Sequence, residues 1–151
     1  MSLYTAVAEH IAANHPDLTY SATGVGGQIF VATMPTAPDT DTKVNVAVMA
    51  YGGAEEATAQ PTDLPLVQLI IRGPRFDPRP ALATWADLYR LFAGMTSTEI
   101  GTSDPVHVHM CTPLQSGPIA LGKDANDRHE FTLNLQFRVH APSLHRPALT
   151  P

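Results

Sequence analysis

Phe131-Thr132-Leu133-Asn134-Leu135-Gln136-Phe137-Arg138-Val139-His140 alternates without a break between apolar and polar side chains. In an extended chain successive side chains point to opposite faces, so this stretch reads as a strand. Phe131, Leu133, Leu135, Phe137 and Val139 face a core, and Thr132, Asn134, Gln136, Arg138 and His140 face away from it. Immediately upstream, Lys123-Asp124-Ala125-Asn126-Asp127 has the composition of a hairpin turn, because Asn and Asp side chains bond nearby backbone. Ile119 to Gly122 is then a short extended partner, preceded by a break at Ser116-Gly117-Pro118. Val106, Val108 and Met110 alternate with His107, His109 and Cys111, which predicts a further strand with two unlike faces.

Working further out, Leu64 to Arg72 holds the apolar run Leu66-Val67-Gln68-Leu69-Ile70-Ile71, expected of a central strand covered on both faces. Gly73-Pro74 ends it. Asp77-Pro78 reads as an N-cap followed by proline at the first helical position. The helix after it places Leu82, Trp85, Tyr89 and Phe92 on one face with Leu88 adjoining, and Gly94 closes it. Leu3, Val7 and Ile11 predict a first helix over 3–14, ended by Asn14-His15-Pro16. Strands are expected over 28–34 and 43–51, with polar loops at 35–42 and 52–63. The order is helix, two strands, strand, helix, three strands. It predicts an α+β domain: a single mixed, mainly antiparallel sheet with two helices packed on one face. No composition shift divides the chain. Residues 1–140 are expected to form one domain and 141–151 a proline-rich C-terminal arm, extended or disordered.

Bulk properties narrow the function. The chain has 151 residues, 44% hydrophobic and 15% charged, with a net charge of −5 from 9 Lys+Arg and 14 Asp+Glu. The charged share is low against about 25% in typical domains, which leans toward association with other chains. A dedicated nucleic-acid binder carries a basic patch. Here the densest basic stretch, Arg72, Arg75 and Arg79, is interrupted by prolines and Asp77. The single Cys111 permits no internal disulfide and fits a reducing compartment. Neither a signal peptide nor an apolar stretch of membrane-spanning length is visible, so the chain is expected in the cytoplasm where it is made.

The motifs with chemical potential are weak. His107-x-His109-x-Cys111 would line soft metal ligands along one strand face, but over about 13 Å one ion seldom reaches all three. Ordinary polar side chains on an outer face explain it more simply. Gly24-x-Gly26-Gly27 lacks the strand before and the helix after that a phosphate loop needs. Asp124-x-Asn126-Asp127 lacks the glycine and terminal glutamate of a calcium loop. Asp39/Asp41 and Glu55/Glu56 sit in polar loops as solvated acids, and nothing there would shift a pKa for acid–base work. Cys111 has no cationic neighbour in sequence to activate it. No catalytic group and no cofactor is expected.

Three stretches taken in order carry a resemblance: Val46-Ala47-Val48-Met49-Ala50-Tyr51-Gly52-Gly53, then Leu66-Val67-Gln68-Leu69-Ile70-Ile71-Arg72-Gly73, then Leu121-Gly122-Lys123-Asp124 with Arg128-His129-Glu130-Phe131-Thr132-Leu133-Asn134. Together, over about residues 45–140, they resemble the small minor capsid or tail-terminator (tail completion) proteins of long-tailed bacteriophages. The resemblance implies an α/β subunit in a homo-oligomeric ring, a hexamer, at the head-proximal end of the virion tail, assembled in the host cytoplasm. It implies that the ring stops polymerisation of the tail-tube protein, presents a surface to a head–tail connector or stopper protein, and lets DNA pass through its lumen without specific binding. No membrane contact is implied. On that reading Thr36, Asp39, Asp41 and Lys43, in the loop 35–43, are expected to reach toward the tube. Glu55 and Glu56, in the loop 52–63, with Arg72 and Arg75, are expected near subunit contacts or the ring's other face. Two alternatives stand beside it: another head–tail connector or stopper protein, and a small metal-binding cytoplasmic domain using the His107/His109/Cys111 face.

Overall fold

The computed structural model describes residues 2–36, 42–54 and 60–148. Its elements are α1 (Ser2–Asn14), β1 (Ile29–Val31), β2 (Asn45–Ala54), β3 (Thr62–Arg75), α2 (Arg79–Phe92), β4 (Thr96–Ile100), β5 (Val106–Pro113), β6 (Ile119–Lys123) and β7 (Arg128–His140). The strands form one sheet in the order β1-β2-β3-β7-β5-β4, with β6 also on β7. Among these strands β1 on β2 is parallel and the other pairings are antiparallel. This is the expected mixed, mainly antiparallel α+β architecture.

The register shows why β7 organises the molecule. Val46 lies opposite Ile71 and Ile71 opposite Phe131; Val48 opposite Leu69 and Leu69 opposite Leu133. Paired residues share a face, so these rows stack valine, isoleucine, leucine and phenylalanine on one side of the sheet. Both helices close over that side. Leu3, Ala6, Val7 and Ile11 of α1 and Ala81, Trp85, Leu88 and Phe92 of α2 join the same buried cluster. Phe92 meets Phe137 edge-on at 5.9 Å between centroids. Each such side chain contributes about 1.5–3 kcal/mol by leaving water. His15 ties the end of α1 to α2 through Asp87 at 3.1 Å.

Several boundaries differ from expectation for local reasons. β3 begins at Thr62 and β2 runs to Ala54, so both ends of the segment 52–63 belong to strands. The apolar run of β3 is not covered on both faces. Val67, Leu69 and Ile71 are buried, but Leu66, Gln68 and Ile70 are half-buried, because among the described residues no helix packs on their side. In α2 the buried face is Ala81, Thr84, Trp85, Leu88 and Phe92. Leu82 stands outside it at 37% exposure, and Tyr89 is only partly covered, stacked on Trp85. Pro78 rather than Asp77 occupies the N-cap of α2, yet an Asp77 carboxylate oxygen still accepts from the Arg79 amide (3.1 Å). Gly94 follows the last turn at φ +79°, the left-handed conformation that ends helices. β4, Thr-Ser-Thr-Glu-Ile, was not expected as a strand. It is a mostly exposed edge with no apolar alternation to announce it.

The C-terminal segment, expected as an arm, is fastened along residues 141–148. Ala141 donates to the Pro61 carbonyl (2.8 Å). Arg146 donates to the carbonyls of Gln60 and Thr62 and pairs with Asp63 at 2.9 Å. Ser143 and Arg146 exchange backbone hydrogen bonds across a tight turn.

Candidate interaction surface

β2 and β3 form a long antiparallel pair, so their two connecting regions lie at opposite ends of the sheet. At the end where β2 begins and β3 finishes, Thr36 and Lys43 are exposed. Arg72, expected to meet a partner, is instead turned inward and 1% exposed. Its guanidinium donates to the Pro35 carbonyl (2.6 Å) and lies 3.8 Å from Asp124. Asp124, in the turn between β6 and β7, also takes the Arg128 guanidinium at 2.7 Å, and Arg128 is 1% exposed as well. Two buried guanidinium groups therefore converge on one carboxylate. Burial pushes the Asp124 carboxyl up, but the amides of Arg128 and Asn126 and the Arg128 side chain outweigh it, and the net shift is downward. Glu130 moves the other way: burial raises it, with Arg72 only partly offsetting. This arrangement positions backbone. It fixes where the chain leaves Pro35 and the shape of the turn Asp124–Asp127.

Arg75 is exposed beside that turn. It donates to the Asn126 carbonyl (3.1 Å) and lies over the ring of Phe76, which is itself 70% exposed. Arg72 and Arg75 thus belong with the loop 35–43. They do not lie with Thr62, where the segment 52–63 enters β3, which is at the far end of that strand, about 30 Å away at about 3.3 Å per residue. Asp39, Asp41, Glu55 and Glu56 lie outside the described residues.

The structure parts Cys111 from the histidines. β5 carries an irregularity against β7: Val108 faces Val139 and Cys111 faces Phe137, three steps against two. Such a bulge switches the side-chain face beyond it. His107 and His109 stay on the outer side, with ring centroids 4.9 Å apart and His140 6.0 Å from His109. Cys111 turns into the core at 2% exposure, where burial pushes its thiol up to about 12. Among the described residues no group of His, Cys, Asp and Glu is placed to hold a metal ion. Burial, then the neighbouring His107, His140 and Arg138, lowers the pKa of His109.

Comparison with known proteins settles what kind of molecule this is. The family model described as bacteriophage tail terminator protein matches residues 14–140. The chain belongs to the bacteriophage tail terminator family. A family member of this kind is a structural component of a phage tail, and hence of the virion. Among solved structures, one from the virion of a native gene transfer agent particle shares the fold, with a TM-score of 0.60 and 16% identity over 92% of this chain and 95% of that one. A second, 18% identical over 93% of this chain and 86% of the other, superposes more loosely at a TM-score of 0.47. No curated protein matches the chain. Among the described residues no helix is long and apolar enough to cross a membrane.

Sequence reasoning missed the residues that shape this end of the family fold. Asp124 and Arg128 stand four apart around a turn, a spacing that a tight hairpin closes into an ion pair, and that was the available signal. Gln115 had none. Its side-chain amide donates to the Thr132 carbonyl (2.7 Å) and accepts from the Asn134 amide (3.2 Å). It fills the gap along β7 between β5 and β6 as a strand residue would.

Proposed function

We propose that the chain caps the tail tube. Copies close into a ring, a hexamer, at the head-proximal end, stop addition of tail-tube protein and offer their other face to a head–tail connector or stopper. The family match over residues 14–140 carries this reading. The net charge of −5 supports it, since an acidic subunit does not retain DNA moving through a lumen. Thr36, Asp39, Asp41 and Lys43 contact the tube, with Arg75 on the same end of the sheet. Glu55 and Glu56 face the connector or a neighbouring copy. Arg72 acts through Pro35, holding the base of the first loop.

The test is a tail assembled without this protein. Tubes are expected to grow past their normal length, and added purified protein should restore uniform tubes and joining to heads. Deleting residues 36–42 should leave the thermal unfolding transition in place and abolish capping. Tubes of normal length in the protein's absence would overturn the proposal.

A further inference from the structure

The two lateral margins of the sheet are stepped. On one side β1 pairs with β2 only as far as Val48, and among the described strands none covers β2 from Met49 to Ala54. On the other side β7 carries β5 along residues 135–139 and β6 along 129–132. The far edge of β6 has no partner strand among those described. Both open edges are apolar and exposed: Ile119 at 46%, Leu121 at 51% and Tyr51 at 50%. Soluble proteins guard strand edges with kinks, charges or covers. Every margin here carries some such device. Gln28 and Ile29 donate to the Thr19 carbonyl beside β1, and β4 is kinked by Ser97 at φ 43°. β6 bulges at Leu121, with Gly122 at φ 98° and Lys123 at its end, and β2 bulges between Ala50 and Gly53, with Gly52 at φ 80°, but among the described strands neither of these edges is covered.

The geometry points to a strand-to-strand contact between copies of this chain, in which the outer edge of β6 pairs antiparallel with the Met49–Ala54 edge of β2 in the next copy. This rests on the ring reading above. Strand direction supports it. β2 and β7 run the same way, each antiparallel to β3, and β6 is antiparallel to β7. Copies in a ring keep one orientation relative to its axis. β6 of one copy therefore meets β2 of the next in antiparallel sense, in which backbone hydrogen bonds are straightest.

The steps also match. β6 is level with residues 129–132 of β7, whereas the open part of β2 is level, through β3, with residues near 135–139. The offset is about six residues, or about 20 Å, and the repeat β2-β3-β7-β6 is about 19 Å wide at about 4.8 Å per strand. Strands would then tilt by about 45° to the ring axis, close to the roughly 35–45° of closed sheets. With that shift the neighbour's β1 passes below β6 and β4 remains above the neighbour's β2, so each step fills the other.

The experiment pairs Ile119→Cys or Leu121→Cys with Ala50→Cys or Tyr51→Cys, four double variants, each incorporated into assembled tails. Adjacent antiparallel residues have Cα atoms about 4.5–5.5 Å apart, inside the disulfide range of about 4.4–6.8 Å. At least one double variant should give a ladder of covalent oligomers on a non-reducing gel, and the single variants none. Separately, Leu121→Lys should unfold at the wild-type temperature and weaken self-association at least about tenfold, as a charge on an open edge does. Cross-linking by a β6 single variant would mean two-fold pairing and would overturn the proposal, as would cross-linking to another tail protein. Several copies per tail, with no ladder from any double variant and Leu121→Lys assembling normally, would refute this interface and leave the ring. One copy per tail would remove the ring and the interface together.

Discussion

Replacing Gln115 with alanine isolates a place where a side chain substitutes for a strand. In the native chain the amide of Asn134 donates to the Gln115 side-chain oxygen at 3.2 Å, and the Thr132 carbonyl receives its nitrogen at 2.7 Å. The two losses are unequal. Thr132 keeps a second donor, Trp85 Nε1 at 2.9 Å. Asn134, 9% exposed, loses the acceptor of its backbone amide. An orphaned buried donor costs about 1–3 kcal/mol, and Gln115 is only half-buried, so water recovers part of it. The expected loss is about 1.5 kcal/mol. For a chain of this size that lowers the melting temperature by about 3–6 °C. Equilibrium denaturation gives the free energy, and hydrogen exchange at the Asn134 amide gives its location. Gln115→Met keeps the bulk without the bonds and should lose as much. If both variants are within about 0.3 kcal/mol of wild type and the Asn134 amide stays protected, the strand-substitute reasoning is wrong.

Three further outcomes rest on local geometry. Glu9 accepts hydrogen bonds from the backbone amides and hydroxyls of Thr102 and Ser103, and these, led by the Ser103 hydroxyl, hold its carboxyl at about 2, below the usual 4.5. A depressed carboxyl stabilises above its unfolded pKa and loses that contribution as pH falls from about 4.5 through about 2. Because the site is partly exposed the contribution is about 1 kcal/mol, and Glu9→Ala should flatten that part of the stability–pH curve, read by denaturant midpoints. Gly101→Ala should cost about 2–4 kcal/mol in the same assay, since Gly101 sits at φ +88° and a Cβ there would lie 2.7 Å from the Cβ of Ala6. Cys111, with its thiol pushed up to about 12 by burial, should react with a thiol reagent at pH 8 about a hundredfold slower in the folded chain than in denaturant; equal rates would place it outside the core.

The elements legible in the sequence were those whose two faces differ. β7 and α2 each put bulky apolar residues on one side, and the period of that pattern reports the element and its buried face together. β4 was invisible because an edge strand touching the core mainly through Ile100 needs no alternation. β3 misled in a related way. Its apolar residues on the side away from the helices are only half-covered, and composition cannot distinguish a face covered by helices from one left over for another chain. Leu66 and Ile70 lie on that second face.

The same limit applies to the candidate surface. Arg72 reads from sequence as a cation flanking a turn, open to a partner, to solvent or to an ion pair within the chain, since nothing local marks it for burial. Its partners include the Pro35 carbonyl, 37 residues earlier, and Asp124, far later in the chain. For Arg72, unlike Arg128 with its counter-ion four residues away, distant segments supply both the acceptor and the counter-ion, and no window of sequence holds both. The β-bulge that separates Cys111 from His109 is equally non-local, because it is defined by register against β7 and not by the residues of β5. Open edges belong to this class too. Whether β6 is capped depends on which strands lie beside it in space, and the exposed Ile119 and Leu121 gain meaning only beside an uncovered β2 edge of opposite direction in the same sheet. Interaction surfaces on a low-charge chain of this kind are therefore written in topology, and that is where mutations should be aimed.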